Sequence, residues 1–302
     1  MSFNIEGVYC AAATPLKADG TPDLALFGAH SKALLDEGCH GIAMLGSTGE
    51  ANSFGLNERM ALLEAALDGG TPPEALLPGT SSCSVTDAVT LTRHAVDLGV
   101  KGVVLLPPFY YTAFSDESLF RFYAEIIEKT GSDRLRVVLY HIPMLTGVPI
   151  SHNLIEMLLR EFPDIVVGIK DSDGKIGNMH EIAARFPGFA VLAGADPLLL
   201  PLLEGGGAGC ITASSNLVAR ELRIVFDHWN DPAKAHEVKA AQEVIVNWRN
   251  LTNAYVQLPT VKTMLARRRG DNGWLNVHPP FSPLAESERD AVWAEMARLE
   301  AL

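Results

Sequence analysis

Short apolar runs bounded by turn residues recur through the first three quarters of the chain. Between them lie segments with the spacing of amphipathic helices, such as 57–67 and 119–127. Apolar strands that alternate with helices are typical of a parallel sheet covered on its outer face. Eight runs are predicted to be strands: 8–14, 41–46, 75–80, 102–107, 136–142, 165–170, 189–195 and 208–212.

Eight strand–helix units favour a closed (β/α)₈ barrel over an open doubly wound sheet. Closure is not visible in a sequence, so the open sheet stays an alternative. After residue 224 only helical periodicity remains, in 235–248, 258–269 and 287–302, and the prolines of 277–283 exclude a helix there. The sequence therefore predicts an α/β protein: a TIM barrel of residues 1–224, followed by a C-terminal helical appendage of residues 225–302.

Composition excludes several classes of partner. The 302 residues are 48% hydrophobic and carry a formal net charge of -12, so we expect neither nucleic acid nor an anionic membrane as a partner. The four cysteines lack C-x-x-C spacing, which argues against zinc and against a disulfide framework. Because the start has no secretory pattern and no run of about 18 apolar residues occurs, we expect a cytoplasmic protein.

Lys170 is the first candidate for chemistry, since it ends an apolar, β-branched run that should be buried. An unpaired ammonium in a low-dielectric interior is costly unless the amine gives up its proton. A neutral amine attacks carbonyl carbons, so the position suggests Schiff-base chemistry. The alternative is a lysine at a strand end whose head group lies in water.

Two further strand ends carry unusual residues, and in a barrel the active site lies at the carboxyl ends of the strands. The segment 46–50 reads G-S-T-G-E, whose glycines let backbone amides approach a small anion such as a carboxylate. Tyr140 ends another run and could relay protons from its hydroxyl. Taken singly, these features also fit a plain tight turn and a core tyrosine. His141, the next residue along, should point away from the cavity because side chains alternate along a strand.

Several spaced motifs together resemble the superfamily of dihydrodipicolinate synthase and N-acetylneuraminate lyase. The resemblance runs from about residue 7 to the end and includes the late segments L-P-T-V-K at 258–262 and Pro279-Pro280. Its main motifs, in order, are G-S-T-G-E (46–50), P-P-F-Y-Y (107–111), Y-H-I-P-M-L-T-G (140–147), G-I-K-D-S (168–172), G-A-D (194–196) and G-C-I-T-A-S-S-N (209–216).

The resemblance implies a class I aldolase mechanism that needs no metal or other cofactor. Lys170 would form an imine with pyruvate, or with a 2-keto acid that releases pyruvate, and Tyr140 would move protons. Ser47 would link Tyr140 to a second tyrosine, Tyr110, from an adjacent subunit. Thr48, with the amides of both turn residues, would bind the pyruvate carboxylate, and the Ile211 carbonyl is a weaker candidate for orienting the lysine. A site completed across subunits implies a homo-oligomer, most often a tetramer.

Departures from the pattern bear on the substrate. Dihydrodipicolinate synthases usually carry an arginine where this chain has Leu145, and that arginine meets the carboxylate of the aldehyde substrate. Sialic acid lyases match better here, yet Pro197 and Ala213 replace groups that hold their long polyol tail. Asp171, Ser172 and Asp196 remain as candidates for the distal hydroxyls.

We therefore expect a lyase or aldolase that cleaves or forms a 2-keto-3-deoxy sugar acid, or a similar hydroxylated 2-keto acid. A dehydratase acting on such an acid through the same imine stays open, because imine formation and proton removal at C3 are common to both. N-acetylneuraminate lyase and dihydrodipicolinate synthase are further alternatives. A non-enzymatic keto-acid sensor is the alternative outside catalysis.

Overall fold

The computed structural model describes residues 5–301 and contains one parallel sheet of seven strands. Each strand falls on one of the predicted apolar runs. The strands are β1 Gly7–Cys10, β2 Gly41–Ile42, β3 Val103–Leu105, β4 Val137–His141, β5 Val166–Asp171, β6 Ala190–Ala193 and β7 Gly209–Thr212. Their spatial order is β2-β1-β7-β6-β5-β4-β3, so β2 and β3 are the two ends of the sheet.

The eighth predicted run, 75–80, closes the ring without forming a regular strand. The Leu77 amide donates to the Ile42 carbonyl (2.9 Å) on one side, and the Val104 amide donates to the Pro78 carbonyl (2.9 Å) on the other. Isolated parallel bridges join this segment to both end strands. The prediction of a full strand is wrong because Pro78 has no amide proton and a 3₁₀ turn, Pro73–Ala75, occupies the start of the run. The predicted (β/α)₈ barrel is confirmed.

Helices cover the outside of the barrel and then continue alone. The helices are α1 Leu24–Asp36, α2 Leu56–Asp68, α3 Val85–Asp97, α4 Asp116–Thr130, α5 Pro143–Thr146, α6 His152–Glu161, α7 Ile176–Arg185, α8 Leu199–Glu204, α9 Ser215–His228, α10 Ala235–Thr252, α11 Gln257–Arg269 and α12 Glu286–Glu300. The predicted helical segments fall on α2, α4, α10, α11 and α12, although Leu302 lies outside the described residues.

The C-terminal helices begin where the alternation of strand and helix stops. Helix α9 continues across position 224, so the change in sequence pattern falls within a helix, and the division at that residue stays a prediction. Helix α11 ends at Gly270, which takes the left-handed conformation (φ 67°) that glycine adopts at low cost. Within residues 5–301, none of the helices combines the length and apolarity needed to cross a membrane.

Alternation along the strands divides the apolar core into two layers. One layer fills the barrel interior and includes Tyr9, Val138, Leu192 and Ile211. The other lies between the strands and the surrounding helices. Lys170 and Tyr140 are opposite each other in the register of β4 and β5. Interior side chains near the carboxyl ends of these strands therefore face the mouth of the barrel.

His30 lies where α1, α9 and the C-terminal segment meet. Its Nε2 is 3.1 Å from the side-chain oxygen of Asn216, and its ring meets Trp274 edge to face with centroids 4.6 Å apart. Burial lowers the pKa of His30 to about 3; the charge of Arg269 lowers it further and the contact with Asn216 opposes the shift. The folded protein therefore holds this imidazole neutral over most of the acidic range.

Acid should destabilise the fold through His30. The unfolded chain takes up this proton below about pH 6.5, whereas the folded chain does not until pH is near 3. The contribution of His30 to the free energy of unfolding is therefore fully present above about pH 6.5 and is lost as the pH falls toward 3. Between pH 7 and pH 5 this site should lower the free energy of unfolding of the unaltered protein by about 2 kcal/mol. In His30→Gln that part of the decrease should be absent, as measured by urea denaturation at the two pH values. His236→Gln, on the exposed face of α10, is the control, and an equal effect of both substitutions would contradict the assignment.

Candidate active site

Lys170 lies on β5 and points into the barrel. It pairs with Tyr140 of β4 on one side and with Leu192 of β6 on the other. Only 6% of the residue is exposed, so its head group does not extend into water as the alternative interpretation required. The Nζ atom lies 4.1 Å from the centroid of the Tyr140 ring. The predicted lysine and tyrosine are therefore side by side.

The Tyr140 phenol is buried and has polar neighbours on several sides. Its Oη lies 3.4 Å from the Ser47 hydroxyl. Burial acts to raise the pKa of the phenol, but the positive charge of Lys170 and hydrogen bonds with Ser47, Lys170 and Ser172 outweigh it, so the pKa lies below its ordinary value of 10.0. A phenol shifted in this direction exchanges protons more readily near neutral pH.

The turn 46–50 follows β2 and lies against the segment that closes the barrel. A Cβ atom on Gly79 would come within 2.1 Å of the Leu45 carbonyl oxygen, so only glycine permits this approach. Ser47, Ser81 and Tyr140 line one small cleft there. Within the described chain, the amides of Ser47 and Thr48 donate to no other group. Two backbone donors are thus available in the turn whose Ser47 hydroxyl contacts Tyr140.

Ser172 follows the lysine strand directly and also lies near the phenol. A Cβ atom on Gly194 would meet the Ser172 hydroxyl at 1.9 Å, so glycine at the end of β6 makes room for it. The predicted substrate contact of this serine stays a prediction. Asp171, by contrast, accepts from the Asp173 amide and from the Asn178 side chain (both 2.8 Å), so both of its oxygens already have partners.

His141 adjoins Tyr140 but makes its contact outside this group. Its Nδ1 accepts from the Ile150 amide at 3.0 Å. Burial lowers the pKa of His141, opposed by the charges of Asp171 and Asp173, while Lys175 lowers it further. A ring nitrogen that accepts a backbone proton serves the structure of the strand end rather than proton transfer at the mouth.

Tyr110 and Leu145 are predicted site residues that lie on the surface. Tyr110 is 78% exposed and meets the ring of Tyr111 edge to face, with centroids 5.1 Å apart. Leu145 is 67% exposed and belongs to the short helix α5. Met144 beside it is also exposed, and the two segments adjoin, since a Cβ on Gly147 would lie 3.0 Å from Thr112. Tyr110, Tyr111, Met144 and Leu145 are therefore exposed apolar side chains on two adjoining segments, and we call them the exposed apolar cluster.

Asp196 and Ile211 are the remaining predicted site residues. Asp196 follows β6 and is fully buried; its Oδ2 accepts from the Ser214 hydroxyl (2.9 Å) and from Arg249 (3.4 Å). Its other oxygen has no partner among the residues that the structure describes. Ile211 lies in the barrel interior on β7, and β6 separates it from the lysine strand. Contact of either residue with a substrate stays a prediction.

Two cations near the site were not singled out from the sequence. Arg249 of α10 reaches Asp196, and Lys262 of α11 forms an ion pair with Glu50 (2.6 Å) in which both side chains are fully buried. Lys262 carried the same signal as Lys170, a lysine within an apolar segment. Across residues 5–301, His, Cys, Asp and Glu side chains form no group of three or more that could hold a metal ion.

Relatives of this protein align with it over nearly the whole chain. An uncharacterised DapA-like lyase of Chloroflexus aurantiacus is 32% identical, over 98% of this chain and 97% of its own. The 4-hydroxy-tetrahydrodipicolinate synthase of Bacillus subtilis is 28% identical, over 98% of this chain and 100% of its own.

A third relative, from Escherichia coli K12, carries the provisional name 2-dehydro-3-deoxy-D-gluconate aldolase YagE and is 29% identical over 94% of this chain and 93% of its own. The crystal structure of YagE in complex with pyruvate superimposes with a TM-score of 0.89 at 25% identity, covering 99% of each chain. Residues 4–299 match the model of the dihydrodipicolinate synthetase family, and with these relatives the match shows that the chain belongs to that family.

Proposed function

We propose that this protein is a lyase that forms an imine between Lys170 and pyruvate, or a 2-keto acid that releases pyruvate. The observation that carries the proposal is the buried Lys170 amine 4.1 Å from the Tyr140 ring, with the Tyr140 hydroxyl 3.4 Å from Ser47. This unites a nucleophile, a proton donor and a hydroxyl relay at the mouth of a barrel.

The reaction begins when the unprotonated amine of Lys170 attacks the keto carbon to give a carbinolamine. Tyr140 donates the proton with which the carbinolamine hydroxyl leaves as water, so the products are a cationic imine and a Tyr140 phenolate. The resulting cationic nitrogen draws electrons from the adjacent carbon, so that a bond at C3 or beyond can break without a metal or another cofactor. The positive charge beside the phenol also favours its deprotonated form, which suits Tyr140 for removing a proton.

The substrate carboxylate would bind at the turn. The unpaired amides of Ser47 and Thr48 can donate to it, and the Thr48 hydroxyl can add a third hydrogen bond. The Ile211 carbonyl would orient the lysine only weakly, since β6 lies between the two strands.

The favoured substrate is a 2-keto-3-deoxy sugar acid or a similar hydroxylated 2-keto acid. Leu145 offers no charge to a second carboxylate, and Pro197 and Ala213 offer few partners to a long polyol. Ser172 and Asp196 are the proposed contacts for the hydroxyls of a shorter tail. The provisional name of YagE and the pyruvate in its crystal structure support this class. A dehydratase using the same imine is the second candidate.

The proposed site includes Tyr110 from a neighbouring copy of this chain. The exposed apolar cluster of Tyr110, Tyr111, Met144 and Leu145 suits an interface between subunits. We therefore propose a homo-oligomer, a tetramer by family resemblance, acting in the cytoplasm.

A panel of substrates separates the candidate reactions. We expect 2-keto-3-deoxy acids to release pyruvate at rates at least about tenfold above the rate with aspartate semialdehyde, because the missing charge costs about 1.5 kcal/mol or more. Released pyruvate and dehydrated product are assayed separately. Dehydrated product without pyruvate would favour the dehydratase.

Leu145→Arg tests whether the lack of a positive charge at this position disfavours aspartate semialdehyde. Its guanidinium would extend from an exposed position, so the fold should tolerate it, and use of aspartate semialdehyde should rise. Met144→Arg adds the same charge one residue away and is the matched control. Equal activity of the unaltered protein on aspartate semialdehyde and on sugar acids would contradict the proposed substrate class.

A further inference from the structure

The turn that carries Ser47 and Thr48 closes on a residue in an unfavourable conformation. Glu50 has φ 57°, in the left-handed region that residues other than glycine seldom adopt. Its amide donates to the Ser47 carbonyl (3.2 Å), and the Ala51 amide donates to the Gly46 carbonyl (3.2 Å). A conformation of this kind persists only where surrounding groups fix it.

The groups that fix Glu50 come from the C-terminal part of the chain. Its Oε1 lies 2.6 Å from the Lys262 Nζ, and neither side chain is exposed to solvent. Its Oε2 accepts from the His278 amide at 2.8 Å. The His278 ring also meets Phe54 edge to face, with centroids 5.0 Å apart, just after the turn. Both carboxylate oxygens are therefore held by segments more than two hundred residues away in sequence.

Stability alone does not account for a fully buried ion pair. Removing both charges from water offsets much of their attraction, and a well-packed neutral pair often serves stability equally well. An apolar pair has no hydrogen bond to set its geometry, whereas a charge-assisted hydrogen bond is short, strong and directional and so holds the Glu50 oxygen in place. The pair and the hydrogen bond from the His278 amide thus fix the end of the turn that carries Ser47 and Thr48.

We propose that Lys262 and Glu50 are positioning residues for the carboxylate of the keto acid. They hold the turn so that the Ser47 and Thr48 amides point at the place where that carboxylate binds, and they make α11 part of the pyruvate site. The proposal rests on the function proposed above, since it assumes that pyruvate forms an imine at Lys170.

The test is the neutral double variant Glu50→Gln with Lys262→Met, which leaves no single charge buried. Borohydride trapping of pyruvate is followed by intact mass at increasing pyruvate concentration. We expect the half-saturating concentration to rise at least tenfold, while adduct formation at saturation stays near that of the unaltered protein, because Lys170 itself is untouched. A loss of fold alone would lower the maximal adduct and leave the half-saturating concentration of the remaining folded protein unchanged.

A second ion pair provides the matched control. Arg269, also on α11, pairs with Glu37 (2.5 Å), and this pair joins the same helix to the C-terminal end of α1 instead of to the turn. Glu37→Gln with Arg269→Met should leave the half-saturating concentration unchanged. An equal rise in both double variants, or no rise in the first, would overturn the proposal.

A conservative change covers the case in which the neutral pair does not fold. Glu50→Asp keeps both charges buried but withdraws the carboxylate by one carbon–carbon bond, so it should also raise the half-saturating pyruvate concentration at least tenfold. An unchanged value in a folded Glu50→Asp protein would overturn the proposal. If the unaltered protein forms no adduct at any concentration, the proposed function fails instead, and the two failures are distinguishable.

Discussion

Replacing Lys170 with alanine is expected to abolish both the pyruvyl adduct and turnover. The amine of Lys170 is buried beside Tyr140, and the proposed reaction has no other route to a cationic imine. Lys262, the other buried lysine near the site, cannot replace it, because its Nζ is engaged by Glu50 at 2.6 Å. We expect turnover to fall by at least about 10⁴-fold, as when a nucleophile is removed. Intact mass after borohydride treatment and a pyruvate-release assay measure the two effects.

Two variants make this result specific. Lys170→Arg keeps a positive charge beside the phenol but cannot form an imine under these conditions, so it should also be inactive. Lys175→Ala removes a nearby exposed lysine that pairs with Asp173, and it should retain adduct and turnover. An adduct that persists in Lys170→Ala would assign the chemistry to another amine. Pyruvate binding to the unaltered protein without any adduct would favour the keto-acid sensor.

The barrel could be predicted because the same sequence pattern, a short apolar run followed by a helical segment, occurs many times along the chain. Each of the seven strands coincides with a short apolar run, and buried parallel strands have few other sequence patterns. The eighth run differs because Pro78 removes one backbone donor, so the segment 76–80 pairs with its neighbours only at single bridges. A run of apolar residues indicates that a segment is buried, but it does not show that the segment forms regular hydrogen bonds with a neighbouring strand.

Within the candidate site, the sequence identified residues that project from adjacent strand ends and missed the C-terminal residue that contacts the turn. Lys170 and Tyr140 lie opposite each other because both end their strands at the same level of the barrel. Lys262 lies 212 positions from Glu50 along the chain, and nothing in either local pattern pairs them. Periodicity reports which side of a helix is buried, but it does not report which residue lies opposite.

The proposed role of Tyr110 depends on a neighbouring subunit. Its motif resembles that of a residue acting in a neighbouring subunit, and in one chain it is simply an exposed ring. Neither the sequence nor the isolated chain supplies the contact that would complete its role. The Tyr110 assignment therefore depends on an oligomer and stays a prediction.

Replacing Tyr140 with phenylalanine should slow turnover by about 10² to 10⁴-fold and leave imine trapping at Lys170 largely intact. The substitution removes the hydroxyl that contacts Ser47 but keeps the ring beside the lysine. Because the pKa of the phenol lies below its ordinary value of 10.0, the pH–rate profile of the unaltered protein should contain an alkaline-side titration below pH 10 that the variant lacks. Steady-state rates across pH, with adduct mass measured in parallel, test both expectations.

Tyr123→Phe is the control for loss of a buried hydroxyl as such. Tyr123 is fully buried, and its hydroxyl has no partner among residues 5–301, so its removal should leave rate, adduct and pH profile unchanged. A Tyr140→Phe protein with an unaltered rate would exclude the phenol from proton transfer, because a ring without a hydroxyl can pack but cannot carry a proton. A variant that lost the adduct and turnover together would instead assign to Tyr140 a part in imine formation itself, since the elimination of water from the first addition product also needs a proton donor.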